Sequence, residues 1–367
     1  MRGGRLLDQG GYGCIFDPPL ICRGEKAPRK GSSNKMIGKV TLPEDITSEV
    51  MAANIFKDKP EANNYFILPE IDTLCKKAPS GRPAIKIDDQ KEQDLGKCRT
   101  IQDFGLKNLL HYQMKYGGVS LHKKLDSVHI AVNEFPFYKF MGQMLEMGAY
   151  MALNGMIHND LHSGNVVVDD KYNFRLIDFG RCYTANSINE KLLDTLESVY
   201  NPRLGQVTPE CTVQDGLIQK MQLPIMVNEI IHGKASLIYA ERIFGINRQQ
   251  QMFEFTNFWK TSRSVQSGDF VKFWKLYWPA TDAWGIGYIL ISTLYKLSLS
   301  NQFMKSSQWK EKSTLVKGVI TGLLKCSPMK RIDCIEAIAL YDPMNSILLS
   351  ASGKAWLTKK HEKRKKI

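Results

Sequence analysis

Two short stretches carry residues whose types and spacing could do chemistry. One is His158-Asn159-Asp160-Leu161-His162-Ser163-Gly164-Asn165; the other is Asp178-Phe179-Gly180. A carboxylate beside an attacking hydroxyl can take its proton. A second carboxylate and an amide oxygen can hold magnesium against phosphates. Phosphoryl transfer needs this set, because its catalysis is mostly positioning and charge neutralisation. A third stretch, Leu7-Asp8-Gln9-Gly10-Gly11-Tyr12-Gly13-Cys14-Ile15, is glycine-rich. Missing side chains let backbone N–H groups approach a phosphate closely. Ile37-Gly38-Lys39-Val40 sets a lysine in an apolar run, with Lys35 just before it.

The elements that must position these residues follow from the apolar pattern. Residues 6–16 read as strand and turn, Met36–Val40 as a short strand, and Leu109–Tyr116 as another, stopped by Gly117-Gly118. Ile46, Val50, Met51 and Ile55 recur at helical spacing, which predicts a helix over Pro43–Lys57. Long apolar-periodic helices are predicted over Phe135–Leu153 and Asp282–Leu297, with others over Leu315–Leu324 and Ile332–Ala339. The period is lost from Gly180 to about Thr208; residues 72–106 resist assignment, and 212–275 read as mixed helices. Strands come first and helices later, which predicts an α+β fold with a small β-rich lobe and a larger helical one.

With those elements in place, the motifs resemble the eukaryotic-type protein kinase superfamily, whose pattern is H-R-D-x-x-x-x-N followed by D-F-G. The resemblance implies a bilobal protein-kinase-like fold, with an N-lobe over 1–116, a C-lobe over 117–353 and a basic tail over 354–367. It implies ATP and Mg2+. Asp160 would be the catalytic base, and Asn165 and Asp178 the metal ligands; His158 and Phe179 would pack to align their loops. Leu7, Gly10, Gly11, Gly13 and Ile15 would form the nucleotide loop, in which Asp8 replaces the family's first glycine. Lys39 would bind phosphate, with Lys35 as its competitor, and pair with Glu49, Glu44 being the alternative. Met114 and Tyr116 would line the purine site. Thr208-Pro209-Glu210, Asp282-Ala283-Trp284-Gly285-Ile286-Gly287 and Pro328-Met329-Lys330-Arg331 resemble, in order, the end of the activation segment, a buried C-lobe helix and the arginine that pairs with the Glu210 position. Together they favour a protein kinase over a small-molecule kinase, and the leading reading is a serine/threonine-type protein kinase.

Three departures keep other readings open. Asn159 replaces the arginine that normally receives an activation-loop phosphate, which predicts activity without loop phosphorylation. Tyr183, Thr184, Ser187, Thr195, Ser198 and Tyr200 remain as modifiable residues, with Arg181 and Arg203 as alternative phosphate receivers. His162 makes D-L-H-x-G-N, similar to aminoglycoside and choline phosphotransferases. The stretch 212–275 is longer than most protein kinases have there. A small-molecule phosphotransferase and a pseudokinase scaffold are therefore the alternatives. The combination G-G-Y-G-C-I-F with H-N-D-L-H-S-G-N resembles kinases of giant nucleocytoplasmic DNA viruses, implying a viral protein of host cytoplasm or virion.

Composition adds limits. The 367 residues carry a net charge of +13 and are 43% hydrophobic, enough to bury a core without staples. No apolar run reaches membrane-span length, and the first residues read as no secretory signal. Eight cysteines without a C-x-x-C pair argue against zinc and predict reduced thiols in a cytosolic compartment. From Lys354, seven basic residues face one acid, Glu362. That tail reads as a solubilising end, or as a contact for an acidic surface or nucleic acid.

Overall fold

The structure, a computed structural model, describes residues 5–10, 13–23, 35–75, 95–126 and 135–365, the side chains only to 360. The described chain forms two compact units. The first takes the N-terminal residues to Gly118 together with Arg175–Cys182; the second takes Val119–Phe174 and the rest from Tyr183.

The first unit is built on a four-stranded antiparallel sheet of β1 (Arg5–Gly10), β2 (Gly13–Asp17), β3 (Met36–Thr41) and β4 (Leu110–Lys115), in that order. Helix α1 (Pro43–Phe56) follows β3 directly, started by Pro43 with Glu44 and Asp45 in its first turn. A short helix, α2 (Arg99–Phe104), precedes β4.

Strand alternation divides the sheet's side chains between two faces. Lys39 pairs across with Ile15 and with Tyr112, so these three share one face with Ile37 and Met114. Cys14 pairs with Val40, which pairs with His111, on the other. That second face feeds an apolar cluster of Cys14, Phe16, Leu20, Cys22, Val40, Cys75, Leu95, Cys98, Leu106 and Leu109.

Here the thiol expectation fails. Cys14 is bonded to Cys98 and Cys22 to Cys75, linking residues 84 and 53 positions apart. Both bonds lie inside the cluster, so a small sheet with one apolar face is cross-linked to the loops that cover it. Cysteines this distant in sequence leave no local pattern, which is why counting C-x-x-C pairs missed them. Cys22, Cys75 and His111 gather their ligating atoms within 4.8 Å. With the two sulfurs bonded to each other, this is a disulfide beside an imidazole. Burial pushes the His111 pKa down to about 4, so the ring is neutral.

The second unit is mainly helical. Its labelled helices are α3 (Phe137–Leu153), α4 (Glu190–Leu196), α5 (Pro209–Ile218), α6 (Leu223–Gly233), α7 (Ala235–Phe244), α8 (Arg248–Thr261), α9 (Pro279–Ser298), α10 (Ser307–Leu323), α11 (Cys334–Tyr341) and α12 (Ala351–Lys365). The most buried is α9, with Trp284, Ile286, Ile289, Leu290, Ile291 and Leu294 fully enclosed. No described helix is long and apolar enough to cross a membrane. These two units give the α+β, protein-kinase-like fold, β-rich in the first and helical in the second.

Two segments differ from expectation. Within the stretch read as lacking period, Asn189 accepts from the Leu192 N–H and starts α4. The basic tail is not a loose end at its start: it continues α12. Trp356 donates to Asp333 Oδ2 at 2.9 Å and meets Trp278 edge-on, and Lys360 pairs with Asp333 at 2.9 Å. An aromatic within a cationic run gives it an anchor that charge counting overlooks.

Candidate active site

In the first unit, three charged side chains meet. Lys39 Nζ lies 2.5 Å from Glu49 Oε1 and 2.8 Å from Asp178 Oδ1. The β3 register turns Lys39 onto the Tyr112 face, and α1, beginning two residues after the strand, delivers Glu49 to it. Tyr112 donates its hydroxyl to Glu49 Oε2. Burial alone would push the Lys39 ammonium down, but Glu49 and Asp178 hold its pKa above the ordinary lysine value. Burial pushes the Glu49 carboxyl up against the pull of Lys39, and burial and Glu49 together keep Tyr112 protonated. Lys39 is the cation of this cluster. Its competitor Lys35 pairs instead with Asp17 at 2.8 Å and sits over the Tyr116 ring. Glu44 is exposed.

Asp178 reaches the cluster because the backbone before it is pinned. The Leu176 N–H donates to Tyr65 O at 2.8 Å, and the Leu176 carbonyl accepts from the Ile67 N–H at 2.9 Å. On the other side, Phe179 is buried edge-on against Phe66 at 5.5 Å. Between these anchors Asp178 adopts φ 64°, a conformation sparsely used by residues other than glycine and tolerated by aspartate. Such an outlier costs free energy and persists where its surroundings over-determine it, often at working sites.

The described glycines of the stretch end β1 and begin β2. Gly10 pairs with Gly13, and a bulge between Leu6 and Asp8 sets Asp8 opposite Ile15. Gly13 has φ 145°, and a Cβ there would lie 2.2 Å from Val40 O, so only glycine fits. Leu7 is exposed, whereas Gly10 faces open space. Gly11 lies outside the described residues. Met114 is buried on the Lys39 face, and the Tyr116 N–H is already donated to Lys35 O at 2.8 Å.

In the second unit, the loop containing Asp160 is strapped from beneath. Asp282 of α9 accepts from the backbone N–H of His158 at 2.7 Å and of Asn159 at 3.0 Å. Asn159 has φ 62°, the left-handed turn that aims both N–H groups at one carboxylate. Burial pushes the Asp282 pKa up, opposed by His158 and those two donors. Gly285, one turn on, leaves room for Leu161, which a Cβ would strike at 2.6 Å. Asn165 Nδ2 donates to Asp160 O at 2.9 Å and lies 3.4 Å from Asp160 Oδ2, while His162 Nε2 lies 3.8 Å from the same oxygen.

Farther along, Arg331 forms a two-pronged pair with Glu210, at 2.7 and 2.8 Å, with both side chains fully buried. Arg331 also donates to the carbonyls of Ala280, Cys326 and Lys325. The structure thus brings together Lys39, Glu49 and Asp178 in one unit, and Asp160 and Asn165 in the other. Sequence reasoning missed the strap role of Asp282 and the contribution of Tyr112. An acid inside an apolar helix signals Asp282, since a buried carboxylate requires donors.

Comparison with known proteins adds two matches. The ABC1 atypical kinase-like domain matches residues 121–208, the stretch that holds Asp160, Asn165 and Asp178. The eIF-2-alpha kinase GCN2 of Schizosaccharomyces pombe is 35% identical over 82 residues, 22% of this chain and 5% of that protein. Both matches fall on kinases or kinase-like domains. At this level the chain is similar to the protein-kinase-like superfamily, of which the two matches sample an atypical and a protein-directed branch.

Proposed function

We propose that the chain is a protein kinase that moves the γ-phosphoryl group of ATP to serine or threonine hydroxyls of proteins, with Mg2+. The observation that carries this reading is the Lys39–Glu49–Asp178 cluster. One cation faces two carboxylates, and the Asp178 side chain keeps 24% of its surface exposed against 6% for Lys39 and 3% for Glu49. A part-exposed carboxylate beside a buried lysine suits a divalent cation, and a scaffold has no use for that arrangement.

The residues fit the nucleotide and the metal. Gly13 and its neighbours let the backbone approach phosphates, and charged Lys39 meets them. Asp178 would be a magnesium ligand, and Asn165, whose amide nitrogen is committed to Asp160, would have its oxygen to offer as another. Bound there, magnesium would neutralise charge gathering on the phosphoryl oxygens. Asp160 takes the proton from the acceptor hydroxyl as its oxygen bonds to the γ-phosphorus and the bond to the β-phosphate oxygen breaks, leaving ADP. The Asp282 strap fixes the loop that aims Asp160, which matters for rate because misplacement by an ångström is costly.

A second reading, a small-molecule phosphotransferase, rests on His162 near Asp160. Kinship with giant-virus kinases, and with it the host cytoplasm or virion, rests on the glycine-loop and catalytic-loop residues. The test is incubation with radiolabelled ATP and Mg2+ over a panel of proteins and small alcohols. Label on protein hydroxyls is expected; label on a small alcohol alone would replace this reading with the second, and no label would favour a scaffold.

A further inference from the structure

The segment leading into α5 is held by buried side chains at successive points. Lys234, between α6 and α7, is fully buried. Its Nζ donates to Leu204 O at 2.9 Å, Val207 O at 2.9 Å and Thr212 Oγ1 at 3.1 Å. An ammonium has three donors, and here each has an acceptor. Thr212 Oγ1 in turn donates to Thr208 O at 3.1 Å, and Trp284 Nε1 donates to Gly205 O at 2.8 Å. Carbonyls at 204, 205, 207 and 208 are thus all engaged by side chains from α5, α9 and the α6–α7 junction. A loop could instead satisfy these groups with water. Burying an ammonium is costly unless every hydrogen is used, so the lysine is a specific device rather than an incidental charge.

The upstream half is tied differently. Ser198 donates its N–H to Asp215 Oδ1 at 3.1 Å and its hydroxyl to Asp215 Oδ2 at 2.9 Å. Tyr200 donates its hydroxyl to Glu229 Oε2 at 2.7 Å. The two modifiable hydroxyls therefore rest on carboxylates. A phosphate on either would bring nearly two negative charges against an acid, a repulsive arrangement. Where phosphorylation orders such a segment, the added group meets arginines.

We infer that residues 198–212 are held in their working arrangement by Asp215, Glu229 and Lys234 in place of a phosphate, and that Lys234 is a positioning residue for the protein substrate. The substrate part rests on the protein-kinase reading. The stretch 212–275, longer than kinases usually carry, then supplies Lys234, Asp215 and Glu229 to the segment before it.

The experiment uses the full chain, stripped with phosphatase and checked by mass spectrometry. It combines amide hydrogen exchange over 198–212 with steady-state rates on a peptide. Slow exchange and a full initial rate are expected of the unmodified protein. Lys234→Met should speed exchange in 198–212 and lower kcat/KM for the peptide about tenfold, with the KM for ATP unchanged. Ser198→Glu, which leaves Lys234 in place and serves if Lys234→Met does not fold, should lower the peptide rate, and Ser198→Ala should lower it less. Slow exchange and undiminished peptide kcat/KM in Lys234→Met would overturn the inference. So would a lag in the stripped protein that ends as the loop is phosphorylated, or a faster rate in Ser198→Glu. If the protein labels no peptide while exchange stays slow in the wild type and quickens in Lys234→Met, the brace stands and the protein-kinase reading falls.

Discussion

Two buried ionic clusters, one in each unit, are built to opposite rules. Arg331 and Glu210 are matched one to one, and the rest of the guanidinium is taken up by three backbone carbonyls. Nothing is left over, and neither side chain touches solvent. In the Lys39 cluster one cation serves two carboxylates, and one of these, Asp178, is part-exposed on a strained backbone. A balanced buried pair braces the fold. A buried lysine with one buried and one part-exposed carboxylate is, on the proposed reading, where a ligand's charge would be met. Hydrogen-bond count alone would not separate them; the exposure of one member does.

The sharpest way to break this comparison is to remove each cation. Arg331→Met strands Glu210 without its two strong donors and should cost about 4 kcal/mol of stability. Lys39→Met should cost less than half as much, because Glu49 keeps the Tyr112 hydroxyl and can take up a proton. Urea denaturation of both variants checks the order, and equal losses would erase the distinction between brace and site.

If the first unit is not held by its ionic cluster, its staples must matter. Cys14→Ser opens a loop closed across 84 positions and should cost about 3 kcal/mol. Melting with and without reductant reads this, and a wild type indifferent to reductant would contradict it.

Acid probes the same apolar face. Burial holds His111 near about 4, below its ordinary value of 6.5. A group that binds protons less readily when folded contributes stability in full above the unfolded pKa, and that contribution is lost as pH falls toward the folded one. Between pH 7 and pH 5 the loss should be about 2 kcal/mol. His111→Leu should flatten that slope; an unchanged slope would assign it to other groups.

Asp178→Ala should weaken Mg2+-dependent ATP binding about tenfold more than Asn165→Ala, since one carries charge and the other does not. Calorimetry with and without metal measures both, and equal losses would reverse the assigned roles.

How much of the molecule is legible in its sequence depends on distance along the chain. The periodic helices over 137–153 and 279–298 and the strands around Lys39 and Met114 are legible, because alternation and helical spacing are local. Asp160, Asn165 and Asp178 are picked out by motif spacing alone, and the roles proposed for them rest on it. The disulfides and the contacts of Lys234 are not legible, because their partners lie dozens of residues away. Two misses have visible signals: Asn189 followed by leucines marks a helix start, and Trp356 marks a tail with an anchor. The contrast between Lys39 and Lys35 is visible only in the strand register, which turns one to Tyr112 and Glu49 and leaves the other just before the strand, beside Asp17.

The most direct test of the proposed chemistry is Asp160→Asn, assayed beside the wild type for transfer of labelled phosphate to protein and for nucleotide binding. A fall in transfer of about 10²- to 10⁴-fold is predicted, with ATP affinity largely kept, because the base is lost and the phosphate contacts are not. Near-full transfer by the variant would contradict it.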